Sequence, residues 1–398
     1  MKLNHIYKSI ACGVLLAMTA TSCDLDYNPV DTYSDVTEGV NKTDEKPIFN
    51  SVQDVETSMV TLHKKFRDRQ EHWYVDKLLI GDAHSDNAYA GTTGAEVVPY
   101  ETNSIEGSNS VLKRDWDRFL GDIAVANRII VGCDQLKALS ESERGKYQSQ
   151  AKIFRAMVMF DMVRLWGNFP VITTVGGDIT EDNVEEMYPT YFPPQNTAEE
   201  AYAQIEKDLT EAVENPNTPT NDTSDKSILT KSVARAMLAK VYAEKPLRDY
   251  AKVIKYADEL AADGFDLVED FSDLWAYDTE KKDCRVRNTK EAILEAHFPP
   301  GSGNWCTWMF GRNLSNWDES FTWAKWITPS RDLIRLYEEQ GDTKRYNESV
   351  VWYDCGWSNY YPADHYAFMY KCRSAFNSII YPVSYTHLRA HETSLHLV

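Results

Sequence analysis

Residues 140–170 read SESERGKYQSQAKIFRAMVMFDMVRLWGNFP. Tyr147, Ala151, Phe154, Val158, Met162 and Leu165 recur at spacings of three and four, so they form one stripe of a helix from about Ser140 to Trp166. Gly167 and Pro170 stop it. Working outward, the chain supplies helices to cover that stripe. Ser51 caps one, with Asp54 three residues on, and Val52, Val55, Met59, Leu62 and Phe66 follow a 3-4-3-4 spacing. Ser110 opens a second, with Trp116, Leu120, Ile123, Asn127 and Ile130 in one stripe, which puts Trp116 in the core as Trp166 is. Thr197 and Glu200 make a capping box for a helix bearing Tyr202, Ile205 and Leu209. Thr230 to Glu244 and Asp249 to Asp263 read as a helical hairpin, turned at Pro246 and closed by Gly264. Pro329 or Ser330 begins another helix, through Leu333, Leu336 and Tyr337.

Paired amphipathic helices of this length are the unit of tetratricopeptide-like stacking, although no clean 34-residue repeat survives. The expected fold is mainly α, an irregular tetratricopeptide-like helical repeat. Long Gly/Asn/Ser/Thr loops at 81–109, 171–196, 215–228 and 276–327 would form its loop-rich ligand face.

The two ends of the chain read differently. Lys2 and Lys8 precede an eleven-residue apolar run, Ile10 to Ala20, which is too short for a bilayer and suits an export signal. Ala20-Thr21-Ser22-Cys23 looks like a bacterial lipobox, with cleavage before Cys23 and acylation of that residue. Residues 1–22 are then the signal peptide, 23–50 an acylated tether and 51–382 the helical domain. From Val383 the apolar pattern ceases, and residues 383–398 carry three of the nine histidines. That tail resembles one that recurs where a reading frame runs into foreign library DNA, so the domain is expected to be incomplete at its C-terminus.

Composition excludes several functions. The net charge of −19 becomes −21 once Lys2 and Lys8 leave with the signal, and no basic stripe offsets it, so nucleic acid is excluded as a partner. Cys133, Cys284, Cys306, Cys355 and Cys372 are odd in number and widely spaced without a CxxC, which indicates neither a disulfide framework nor a zinc site. One bridge among them stays open. His391-Glu392 with His396 has the wrong spacing for a zinc-protease helix. Asn221 to Asp225 lacks the glycine and distal glutamate of a calcium loop and reads as solvated. With no G-x-S-x-G and no phosphate-cradling glycines, neither catalytic residues, a metal nor a cofactor is expected.

Several segments together resemble one family. Gly81-Asp82-Ala83-His84-Ser85-Asp86-Asn87-Ala88-Tyr89 is similar to the "GDxxSDNAY" segment of SusD/RagB-type outer-membrane lipoproteins. Trp116 through Ala126-Asn127-Arg128-Ile129-Ile130 and Phe154-Arg155-Ala156 through Leu165-Trp166-Gly167 match two of its helices. Ile205-Glu206-Lys207-Asp208-Leu209, Ala234 to Tyr242, Phe265-Asp266-Leu267, Glu291 to Glu295 and Gly341 to Arg345 follow in order. The resemblance implies a surface-exposed, lipid-anchored protein of the outer membrane. It would bind oligosaccharide or peptide nutrient and deliver it to a TonB-dependent barrel of the SusC/RagA type. It implies no enzymatic activity. The alternatives are an exported all-helical glycoside hydrolase and a helical-repeat scaffold that contacts only proteins.

Eight of the eleven tryptophans fall after residue 270. Trp305, Trp308 and Trp317 lie in a stretch without helical or alternating period, beside Asn304, Arg312, Asn313, Asn316 and Asp318. Flat aromatic faces stack on sugar rings while such polar groups bond the hydroxyls, and this is the first candidate patch. The competing reading for each ring is a plug in a loop-rich core. Trp73, Tyr74, Asp86, Asn87 and Tyr89 flank the first long loop and form the second patch, where Asp86 and Asn87 can equally satisfy turn amides. Asp82 and Asp342 read equally well as caps. Which glycan or peptide is bound is not written in the chain.

Overall fold

The computed structural model describes residues 47–69, 71–91, 94–177, 179, 181, 183–275, 277–278, 283–298, 327–353 and 366–369. The signal peptide, Cys23, most of the tether and the 383–398 tail lie outside them.

Helix α1 (Val52–Asp68) starts from the Ser51 capping box and leads through two π-helical turns, Glu71–Asp76 and Leu79–Ala83, into strand β1 (Ala88–Ala90). A short α2 (Val98–Glu101) precedes the two longest helices, α3 (Ser110–Gln135) and α4 (Glu141–Trp166). Then come α5 (Val184–Tyr191), α6 (Ala198–Glu214), α7 (Lys231–Ala243) and α8 (Tyr250–Ala262). Two-residue strands β2 (Tyr277–Asp278) and β3 (Asp283–Cys284) pair with each other. β4 (Ile327–Pro329) leads into α9 (Arg331–Glu339) and α10 (Thr343–Ser349), and β5 (Val350–Tyr353) pairs with β6 (Tyr366–Met369).

α1, α3, α4, α6, α7 and α8 pack each against the next, the stacking expected from the helical hairpins. Gly167 and Gly264 end their helices at φ 72° and 92°, torsions that a side chain would strain. Gly132 on α3 is the point of closest approach. A Cβ there would lie 2.4 Å from the Phe49 ring, and Phe49 is buried although it falls in the stretch read as tether.

Four expectations are corrected. α4 is not buried along one stripe: from Ile153 to Val163 every residue is inside, because helices α1, α3, α6 and α7 surround it. On α3 the stripe is rotated. Trp116, Leu120 and Ile130 are only half-buried, whereas Phe119, Ile123, Ala126, Ile129 and Cys133 are inside, since α1 and α4 cover the helix from two sides. Trp116 and Trp166 meet edge to face at 5.2 Å at the margin of the core rather than within it. The segments read as loops at 81–109 and 171–196 contain β1, α2 and α5.

Candidate ligand-binding site

The second candidate patch forms a corner between the first long loop and the last described helices. Ser85 Oγ donates to the Asp82 carbonyl (3.0 Å) and accepts from the Asn87 amide (3.3 Å), while Asn87 Nδ2 donates to Asp82 Oδ1 (3.3 Å). This side-chain-capped turn launches β1, which pairs antiparallel with β4 in the register Ala88↔Pro329, Tyr89↔Thr328, Ala90↔Ile327. Ser330 completes the junction. Its Oγ accepts from the Leu333 amide as the cap of α9 and donates to the Asp86 carbonyl, and its amide donates to the Asn87 carbonyl. The Arg331 amide donates to the Tyr89 hydroxyl at 3.3 Å.

Asn87 and Tyr89 therefore hold the corner together, and Asp82 acts as an anchor of the turn. The side chains of Asp86 and His84 are exposed at its rim. Trp73 does not join them. Its indole is 4% exposed and packs edge-on against Phe66 (5.4 Å) and His72 (4.8 Å), so it is a core residue with no face for a ligand. Tyr74 lies in the first π-helical turn, and its side chain is outside the described residues. So are Asn304, Trp305, Trp308, Arg312, Asn313, Asn316, Trp317 and Asp318. In sequence, the segment carrying them precedes β4.

Two buried polar clusters fix the helices behind the corner. Arg155 makes a two-pronged ion pair with Asp208 (Nε to Oδ2 2.8 Å, Nη2 to Oδ1 2.7 Å) and donates to Asn127 Oδ1 at 2.7 Å. Asn127 Nδ2 donates to the carbonyls of Ile172 and Thr174, and Gln204 Nε2 donates to Asp208. Asn127, Arg155 and Asp208 each come from a different matched motif segment, so those segments encode a clamp joining α3, α4, α6 and the chain after Pro170.

The other cluster surrounds His72, whose Nδ1 lies 3.0 Å from Asp115 and Nε2 2.9 Å from Asp161. Lys77 also reaches Asp161 (2.9 Å), and Arg114 contacts Asp76. Burial and the neighbouring Asp115 push the Asp76 carboxyl well above its ordinary range, with Arg114 opposing. Burial works against ionisation of Asp161, but Lys77 and His72 outweigh it and hold that carboxyl below its usual value.

Neither cluster opens a catalytic site: Asp76 and Asp115 are wholly inaccessible to solvent. Cys133 is a free, buried thiol that burial pushes up to about 12, and Cys284 is buried. Among the described residues no group of His, Cys, Asp and Glu is arranged to hold a metal. Within 221–225 the acids serve turns, Asp222 accepting from the amide and hydroxyl of Ser224 and Asp225 from those of Ser227.

Sequence reading missed these clusters, because the pairs that join their elements, from Asn127–Arg155 to His72–Asp161, are 28 to 89 residues apart. It also missed α5, on which Tyr188 and Phe192 stack in the open at 4.8 Å. Two aromatics four apart were the available signal.

A family model described as "Starch-binding associating with outer membrane", of SusD-like proteins, matches residues 33–243. A SusD-like protein of Bacteroides ovatus is 25% identical over 309 residues, 74% of this chain and 50% of the relative. The chain thus spans about half the length of that curated relative. Among solved structures, a laminarin-binding SusD-like protein superposes with a TM-score of 0.68 at 19% identity, covering 88% of this chain and 80% of its own. Surface glycan-binding protein A from Bacteroides thetaiotaomicron, solved with laminarihexaose, gives 0.66 at 14% identity, with 87% and 78% covered. At such identities these likenesses establish the helical fold.

Proposed function

Because this chain belongs to the SusD-like family, we propose that it is a lipid-anchored, surface-exposed protein of the outer membrane. It captures oligosaccharide, or peptide, and hands it to a TonB-dependent barrel of the SusC/RagA type. The observation that carries the reading is the family match over the helical scaffold. Its motif residues Asn127, Arg155 and Asp208 close into one clamp, and "GDxxSDNAY" forms a corner with β4, which follows the tryptophan-bearing stretch in sequence. Binding rather than turnover is assigned. A glycosidase needs two carboxylates in contact with substrate, whereas the neighbouring Asp76 and Asp115 are sealed inside the protein.

Ligand contact is assigned to Trp305, Trp308 and Trp317 with Asn304, Arg312, Asn316 and Asp318, beside the exposed Asp86. Calorimetric titration with a panel of glycans and peptides tests this. Trp305→Ala and Trp308→Ala are expected to weaken glycan binding roughly tenfold with the melting temperature unchanged. Equal affinity in both variants would move the site elsewhere, and release of reducing sugar at enzymatic rates would replace binding with hydrolysis. Cys23→Ala should leave the protein soluble and without acyl chains.

A further inference from the structure

The aromatic side of α5 is used by nothing described above. Val184, Tyr188, Tyr191 and Phe192 recur at i, i+4, i+7 and i+8, one face of a helix. They are 44%, 57%, 45% and 66% exposed, and no residue of α5 is buried. Eight residues are too few for a helix to persist unaided, so local bracing holds this one. The Tyr191 hydroxyl donates to the Gly177 carbonyl at 2.6 Å. Gly176 lies so close that an added Cβ would sit 3.0 Å from the same ring. Tyr188 and Phe192 stack at an interplanar angle of 28°, which orders both rings and leaves an outer face on each. Glu185 and Glu186, in the first turn, are exposed and in no ion pair among the described residues.

We propose that this face is a second carbohydrate platform, taking an uncharged pyranose oligosaccharide and built from residues other than those of the first site. The inference rests on the glycan reading above. Charge selects the ligand class. Two unpaired carboxylates repel phosphate, uronate and anionic headgroups, yet accept hydrogen bonds from sugar hydroxyls. Area selects against a protein. Three half-exposed rings offer roughly 300 Å², well short of the ~800 Å² that each partner contributes to a stable protein interface. Ordered flat rings beside hydroxyl acceptors are what a sugar chain of a few residues requires.

The test titrates the purified full chain in detergent with neutral hexasaccharides of glucose (α-1,4 and β-1,3), xylose and mannose, reading stoichiometry and affinity. Wild type should bind at two sites. The variant Tyr188→Ala/Phe192→Ala should lose one of them, its remaining affinity and its melting temperature unchanged. Trp305→Ala/Trp308→Ala should lose the other. Glu185→Gln/Glu186→Gln should weaken the α5 site roughly tenfold. If wild type binds a glycan and the Tyr188/Phe192 variant binds it identically, the second platform is refuted while the first reading stands. If no hexasaccharide binds wild type, the second platform and the glycan half of the reading above both fall. If the variant loses only co-purification with a barrel protein, the face is a protein contact and the proposal is wrong.

Discussion

The Arg155 clamp and the His72 cluster both draw on α4, yet they are balanced in opposite ways. In the clamp one guanidinium meets one carboxylate along two parallel hydrogen bonds, and Asn127 and Gln204 occupy neighbouring positions. In the His72 cluster three acids, Asp76, Asp115 and Asp161, share His72, Lys77 and Arg114, and burial beside Asp115 raises the Asp76 carboxyl above its ordinary range. The first arrangement is specific and brittle, because nothing nearby replaces either partner. The second can redistribute protons, so losing a member costs less and depends on pH.

The largest expected effect comes from breaking the brittle one. Arg155→Ala strands Asp208 in the core and should cost about 3–5 kcal/mol in urea unfolding. The paired change Arg155→Met/Asp208→Leu should recover much of that. His72→Phe should cost less, about 1–3 kcal/mol, because Lys77 still compensates Asp161 and Asp115 still has Arg114 near. A loss equal to that of Arg155→Ala would end the distinction. Gln204→Ala removes a single neutral donor from Asp208 and should cost about 0.5–1.5 kcal/mol.

The smallest effect at neutral pH is the most diagnostic. The folded-state pKa of Asp76 is raised, so its protonated form adds stability that is complete below the unfolded value. That stability is lost as pH rises through the folded value. Asp76→Asn mimics the protonated acid. Its urea midpoint should match wild type near pH 4 and equal or exceed it at pH 8, where wild type has lost that contribution. A midpoint below wild type at pH 8 would mean that Asp76 is held ionised by Arg114, and that the two clusters are balanced alike.

Legibility in the sequence followed the same divide. Helix ends were readable because capping residues and glycines act locally: Ser51, Thr197, Gly167 and Gly264 all do what their positions imply. Helix faces were less so. Apolar periodicity assumes one buried side, and it misplaced Trp116, Leu120 and Ile130 on a helix covered twice. It is also silent on the buried Asp115, Asp122 and Arg155, because a charge buried against a distant partner leaves no periodic trace. In the candidate site, Asp86, Asn87 and Tyr89 were found together through the motif. Trp73 was misassigned because a ring's type does not say which way it faces.

Asp86 and Ser330 are 244 residues apart, and the β1–β4 corner joins them. At translation speeds of about 5–20 residues per second, the first strand must wait roughly 10–50 s for its mate. Until then its backbone is an open edge, to which any other extended chain can add. The two alanines in β1 make that edge short and weakly adhesive, so the protein's late-closing seam is also one that little else is able to grip.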